Sequence, residues 1–439
     1  MKPKQITFDE NNHELDNNDN FSPDDRFLCY DTRPGEGSIQ GCLTIEKVEV
    51  ASGKTTTLCR AQEPDPKLGP GLAAASYHPT EDRVIFIHGP QTATGFQYDQ
   101  AHRFGVSVPG SGSGETQYVD ARDVTAPYTA GALRGGTHRH EYDGSGRYVG
   151  FTYNDTLMKK RGVDLRTIGV TRLGTPVQVD SDPRNTNGTG FSTLVVQVVA
   201  GPKPGSDEIS RAAGDSWVGL NGYLAADGRR QLARGFIGTT RTANGASIDE
   251  VYVVDIPDEN SRPGPDDPLE GTDSTFPAPP LGASQRRLTH TESLKKPGCK
   301  GIVRSSPDGA WLSFLAYAEG GTHAGTQQIF VVSPLGGPMR RLSDIPGGVG
   351  AEARWHPSGQ AVVTTDTAGR LLAVSTADGD SFGHHAVLLD DDGPAPFALV
   401  VSRKGSKLAF NRSIATAAGS FTQILVLPYE VGPNGLPAK

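Results

Sequence analysis

Residues 131–151, GALRGGTHRHEYDGSGRYVGF, hold the densest set of reactive side chains in this chain. Arg134, His138, Arg139, His140 and Glu141 come just before a turn, Asp143-Gly144-Ser145-Gly146, and then a strand-like run. His138 and His140 alternate with a charged residue, and alternation along a β-strand puts both imidazoles on one face. Neutral imidazoles so placed suit a divalent ion, and an imidazole not spent on the metal can accept a proton. His13 in FDENNHEL and His290 in RLTHTES are the further candidate metal ligands. Arg134, Arg304 and Arg354 offer planar guanidinium forks that match carboxylates. The competing reading of those arginines is salt bridging to Glu141, Glu352 or neighbouring aspartates.

These residues lie far apart in sequence, so a repeated scaffold must bring them together. The phrase FSPDDRFLCYDTR (21–33) returns as YHPTEDRVIFIHG (77–89) and YDGSGRYVGFTYND (142–155). It returns again as LAADGRRQLARGF (224–236), SSPDGAWLSFLAY (305–317), WHPSGQAVVTTD (355–366) and VSRKGSKLAFNR (401–412). Each copy gives a turn followed by an alternating strand, and most lead into a second apolar run such as EVYVVDI (250–256) or QIFVVS (328–333). Four-stranded antiparallel units repeated in this way predict an all-β, seven-bladed β-propeller. KQITF (4–8) has the pattern of a blade's outer strand and is expected to complete the last blade, which closes the fold and hides two sheet edges.

The expected organisation is one domain over 1–439. Its blades run near 21–58, 75–123, 139–180, 217–290, 303–344, 353–389 and 399–430 plus 4–8. Two long loops, 181–215 and 257–285, interrupt it; the second is rich in Pro, Asp and Gly. Loops of that length are surface excursions or the walls of a binding cleft.

Reading the residue just ahead of the aromatic position in each copy gives Asn20, Ser76, Glu141, Tyr223, Arg304, Arg354 and Val400. In a propeller this step lies beside the central channel. Asn20, Glu141, Tyr223 and Arg304, with Arg134, are therefore candidate substrate contacts, and Arg354 joins His138 and His140 as a candidate catalytic group. Plain solvation of a wet channel would explain any one of them equally well.

Composition supports this architecture. Across 439 residues there are 55 Gly and 32 Pro against 3 Met and 3 Trp, a turn-rich makeup poor in helix formers. The formal net charge of -8 argues against a nucleic-acid groove. No stretch offers the ~20 apolar residues of a membrane span. Cys29, Cys42, Cys59 and Cys299 contain no CxxC pair; a Cys29–Cys42 or Cys42–Cys59 bridge and free buried thiols are the alternatives. No apolar core follows Met-Lys-Pro-Lys, so the expectation is a periplasmic or secreted protein if a leader has been removed and a cytoplasmic one otherwise. GDSFG (379–383) matches the nucleophile-elbow pattern, but it falls on an expected hairpin turn without the strand-to-helix context that motif needs.

The repeated FSPDG-like phrase resembles the TolB-type, WD40-like propeller repeat over nearly the whole chain. QITFDENNHELDNNDNFSPDDRFLCYDTR (5–33) and GALRGGTHRHEYDGSG (131–146) resemble an uncharacterised bacterial family of TolB-like propellers. A more distant similarity is to oligogalacturonate lyase. It implies β-elimination on uronic-acid oligosaccharides assisted by a divalent ion that histidines and a glutamine hold, with His138 and His140 as the matching positions; the expected cofactor is therefore a divalent ion, manganese or calcium. A full set of three histidines and a glutamine does not align, and Gln327 and Gln328 fall on a strand away from the histidines. The expected function is a carbohydrate-active propeller, a metal-assisted lyase on an acidic oligosaccharide. The alternative is a non-enzymatic propeller that binds a protein or glycan partner.

Overall fold

The computed structural model describes every residue except 1, 17–18, 36–37, 63–68, 70, 91–93, 266–267, 352 and 439, so Glu352, one expected salt-bridge partner of the arginines, lies outside the described residues. Its sheets of three or four strands are antiparallel and follow one another along the chain as the blades of a seven-bladed β-propeller. By contacts the chain divides into two compact units. The first comprises Thr7–Ala200 with Ile256–Ser284; the second comprises Met1–Ile6, Gly201–Asp255 and Gln285–Lys439.

The first unit holds three blades. Blade one is Phe27–Asp31, Thr44–Glu49 and Thr55–Arg60, and blade two is Ala73–Tyr77, Arg83–His88, Phe104–Pro109 and Gln117–Tyr118. Blade three is Gly135–Tyr142, Tyr148–Asp155, Arg166–Val177 and Gly188–Leu194. Its fourth strand therefore lies inside the span expected to be a loop, 181–215, and so does the start of Arg211–Trp217. The long excursion at 257–285 packs on this unit although its sequence interrupts blade four: Asn260 Nδ2 donates to Thr193 Oγ1 and the Tyr148 hydroxyl to Asp258 O.

The second unit holds the other four. Blade four is Arg211–Trp217, Ala233–Arg241, Ser247–Asp255 and Ser284–Arg287; blade five is Lys300–Ser305, Leu312–Tyr317, Gln327–Val332 and Arg340–Arg341. Blade six is Arg354–Trp355, Ala361–Thr365, Leu371–Ser375 and His385–Leu389, with the GDSFG segment in the turn before its last strand. Blade seven is Phe397–Val401, Lys407–Thr416 and Gly419–Pro428, and Lys4–Gln5 completes it by pairing antiparallel to Val426 and Leu425. The expected closure by the N-terminal strand is what the structure shows. All four cysteines are free thiols, so neither candidate bridge forms.

The repeat phrase has a physical cause. The residue after its aromatic position caps the tight turn by accepting backbone N–H groups, which a buried turn otherwise leaves unpaired. Ser22 accepts from Phe27 N, Asp143 from Tyr148 N, Ser306 from Trp311 N and Ser402 from Lys407 N. His78 and His356 fill the same role through Nδ1 and also face the next blade's turn, Gly146 O at 3.3 Å and Gly405 O at 2.9 Å.

A second device recurs in the first strands. Blade two has a bulge between Ala73 and Ser76 with Ala74 at φ 56°, and blade three one between His138 and Glu141 with Arg139 at φ 59°. Blade four repeats it between Ala213 and Ser216 with Gly214 at φ 63°, and blade seven between Phe397 and Val400 with Ala398 at φ 49°. A bulge adds a residue on one strand and re-aims the side chains around it. Where blade four uses a glycine, blade three forces an arginine into the left-handed region, a strained choice of the kind that clusters at functional sites.

Candidate functional site

The bulge decides how the opening histidines are presented. His138 pairs with Thr152 before it and Glu141 with Gly150 after it, so Arg139 and His140 occupy the irregular segment. The simple alternation expected to put His138 and His140 on one strand face therefore does not apply. His140 is turned into the interior, with Nε2 2.9 Å from Thr137 Oγ1 and its ring 6.3 Å from that of Phe151. It lies so close to Gly105 of blade two that a Cβ there would sit 2.7 Å from its Nε2.

His138 is only 5% exposed, and among the described residues neither of its ring nitrogens has a hydrogen-bond partner. Burial, and after it the positive charges of Arg166, Arg103, His140 and Arg139, hold its pKa well below the usual histidine range. The ring is thus neutral at physiological pH and presents one N–H and one lone pair. Leaving both unmade costs on the order of 1–3 kcal/mol each, so a buried imidazole of this kind calls for a ligand or ordered water.

Cations surround it. Arg103 is buried over the Tyr98 ring at 5.2 Å, and among the described residues its Nε makes no hydrogen bond and no carboxylate pairs with it. Arg166 is half-buried and donates to two neutral acceptors, Asn154 Oδ1 at 3.1 Å and Gln100 Oε1 at 2.7 Å. Arg122 is fully buried; its Nη2 donates to Arg103 O at 2.6 Å, and Nε and Nη1 find no acceptor among the described residues. Asp120 beside it accepts from Gly105 N at 2.6 Å and from Thr137 Oγ1 at 3.2 Å, and its pKa is raised by burial to about 6 against the lowering effect of Arg122. A guanidinium such as that of Arg103, close enough to His138 to lower its pKa, has the planar fork that matches a carboxylate.

The other expected site residues take different places. Arg134 is fully buried and already committed: Nε and Nη2 donate to Asp155 Oδ2, Nη1 to Thr272 O and Nη2 to Thr275 O, which pins the long excursion to blade three. Asn20 donates to Cys29 O and Ala75 O and ties blade one to blade two. Glu141 is buried opposite Gly150. His13 is buried against the Tyr30 ring, with Nε2 3.4 Å from Asp9 Oδ1.

In the second unit Arg304 and Arg354 are buried on the first strands of blades five and six, and His290 is exposed. Tyr223 does not stand at the repeat position expected of it. Blade four begins at Arg211–Trp217, which puts Ser216 at that step, while Tyr223 belongs to an inserted hairpin, donates to Asp255 Oδ1 and accepts from Arg286 Nη2.

A divalent ion does not fit these donors. Among the described residues no three His, Cys, Asp or Glu side chains gather as a ligand set. The imidazole best placed to ligate, His138, also lies in the field of Arg103, Arg166 and Arg139, which repels a cation.

Arg103, Asp120, Arg122, Thr137 and Arg166 escaped the sequence reading. None belongs to the repeat phrase, and only Thr137 and Arg166 lie in blade three with the histidines.

Comparison with known proteins places the chain. The family model described as a protein of unknown function, DUF3748, matches residues 71–186, the segment that contains all of Arg103, Asp120, Arg122, Thr137, His138, His140 and Arg166. The uncharacterised protein YidR of Escherichia coli strain K12 is 38% identical over 367 residues, 81% of this chain and 83% of that protein. The chain belongs to the YidR family. Among solved structures, this YidR-family chain is similar to an oligogalacturonate lyase in complex with manganese, with a TM-score of 0.55 and 12% identity over 97% of this chain and 92% of that one. The oligogalacturonate lyase of Vibrio parahaemolyticus gives a TM-score of 0.54 and 10% identity over 98% and 94%. At such identities the YidR-family chain and the lyases share a fold.

Proposed function

We propose that this protein is a carbohydrate-active propeller that takes a carboxylate-bearing sugar at the His138 site and cleaves it by β-elimination. The observation that carries the reading is the buried His138 ring, neutral and without hydrogen-bond partners among the described residues, beside the Arg103 guanidinium. The fold shared with proteins named as oligogalacturonate lyases supports an acidic sugar as the substrate class.

Arg103 would hold the substrate carboxylate and withdraw electron density from it, which acidifies the adjacent C–H. His138 would take that hydrogen as a general base. The freed electron pair forms the C=C bond, the glycosidic C–O bond on the next carbon breaks, and the leaving oxygen takes a proton from solvent.

A second reading, binding without turnover, draws support from the suppressed basicity of His138, since a general base works best with a pKa near the working pH. One experiment separates the two: absorbance of the conjugated unsaturated uronate during incubation with trigalacturonate, alginate and glucuronan fragments. A rise that His138→Asn abolishes supports elimination. A flat trace with trigalacturonate still bound supports the binding role, and a rise that survives His138→Asn overturns the assignment of the base.

A further inference from the structure

Behind the proposed site the structure holds a buried chain of three groups. Thr137 Oγ1 donates to Asp120 Oδ2 at 3.2 Å, and the same oxygen lies 2.9 Å from His140 Nε2. The other oxygen of Asp120 is anchored by Gly105 N at 2.6 Å. All of these groups are buried, and Gly105 matters because a Cβ there would sit 2.7 Å from both Asp120 Oδ1 and His140 Nε2.

A threonine hydroxyl has one hydrogen. While Asp120 is ionised it only accepts, so that hydrogen points at the carboxylate and Oγ1 turns a lone pair toward His140. The imidazole can complete the contact only by donating from Nε2. Burial, then Arg103, keep His140 neutral, with a pKa of about 3, so Nε2 carries its single hydrogen and Nδ1 is the lone-pair nitrogen.

We propose that Asp120 and Thr137 are positioning residues that fix the tautomer of His140, so that the acidic-ligand site keeps a hydrogen-bond acceptor at Nδ1. The purpose assigned to the relay rests on the reading of the site given above; its geometry does not. Among the described residues the charged groups that act on it are Arg122 on Asp120 and Arg103 on His140, and the neutral, titratable His138 ring lies beside His140. Arg122 favours the ionised form of Asp120 that the relay needs. The relay is also joined to the site's cations through Arg103 O, which accepts both Arg122 Nη2 and Thr137 N. An imidazole without such a partner would sample both tautomers, and a ligand hydroxyl donating to it would meet an acceptor only part of the time.

The test is long-range nitrogen–proton correlation NMR on protein labelled with ¹⁵N-histidine, without ligand, with the His140 signals identified by their loss in His140→Gln. Wild type is expected to show the hydrogen on Nε2. In Asp120→Asn the amide oxygen keeps the bond from Gly105 N, so the NH₂ group faces Thr137 and donates to it. The threonine hydrogen then turns to His140, and the signature should switch to hydrogen on Nδ1. Thr137→Ser should retain the wild-type pattern, and Thr137→Val should give a mixture.

A wild-type Nδ1–H form, or an Asp120→Asn spectrum identical to wild type, overturns the relay. Trigalacturonate titration of the wild type is read separately. The expected tautomers without uronate binding refute the site and leave the relay standing, whereas binding without them does the reverse.

Discussion

Lowering the pH should load the buried site unevenly, and the size of the effect follows from two shifted groups. His140 titrates near 3 in the folded protein because it is buried, against an ordinary value of 6.5. Its folded pKa is depressed, so its contribution to stability is whole above pH 6.5 and is lost as pH falls toward 3. Between pH 7 and pH 4 that loss amounts to about 3 kcal/mol, at 1.36 kcal/mol per unit of pKa.

Asp120 runs the other way. Its folded pKa is raised from 3.8 to about 6, so its contribution is full below 3.8 and disappears as pH rises through 6. Over the same interval it returns about 2 kcal/mol to the folded state, leaving a net loss of roughly 1 kcal/mol from the pair. Substitution separates the two. Native-state hydrogen exchange of the strand Gly135–Tyr142, compared at pH 7 and pH 4, should show an acid-induced loss about 3 kcal/mol smaller in His140→Gln than in wild type. In Asp120→Asn the loss should be about 2 kcal/mol larger. Equal acid sensitivity in wild type and His140→Gln would show that His140 is not held neutral by burial, and the electrostatic description of the site would fail with it.

Other consequences are local. Gly146 has φ 69° and a Cβ there would lie 2.1 Å from His78 Nε2, so Gly146→Ala should destabilise the first unit by roughly 2 kcal/mol in urea unfolding. Deleting residues 1–6 removes the pairing of Lys4–Gln5 with Gly419–Pro428, the Ile6 N to Ile424 O bond and the buried Ile6 side chain. The expected outcome is a loss of about 2–4 kcal/mol and concentration-dependent aggregation by light scattering, because a sheet edge is exposed. Arg134→Gln should release the 257–285 excursion, seen as faster hydrogen exchange at Thr272 and Thr275 with the strands of blade three still protected.

How much of this was legible in the sequence depends on whether the cause was local. Blades recur as a readable phrase because each tight turn needs an acceptor at the same step, and Ser22, His78, Asp143, Ser306, His356 and Ser402 supply it. Blade four departs from the phrase because its first turn carries an inserted hairpin, which moves Tyr223 out of register. The histidine pair departs from alternation for a different reason: the alternation rule assumes regular pairing, and nothing in THRHEY announces that Arg139 will take a left-handed conformation. Arg134 reads as a ligand fork in the sequence because its partners, Asp155 and the carbonyls of Thr272 and Thr275, come from the end of blade three's second strand and a distant loop. Arg103, Asp120 and Arg122 meet the histidines only through the packing of blade two against blade three, a relation that no spacing along the chain encodes.

The claim on which the functional account stands is that a carboxylate-bearing sugar sits between the Arg103 guanidinium and the His138 ring. The most direct measurement is the NMR response of the His138 ring to titration with trigalacturonate, set against a neutral galactose trisaccharide. The account predicts a saturable shift with the acidic sugar alone, weakened roughly tenfold to a hundredfold in Arg103→Gln, as befits losing a hydrogen bond to a charged group. An unmoved His138 signal at saturating uronate, or binding indifferent to Arg103→Gln, would contradict it.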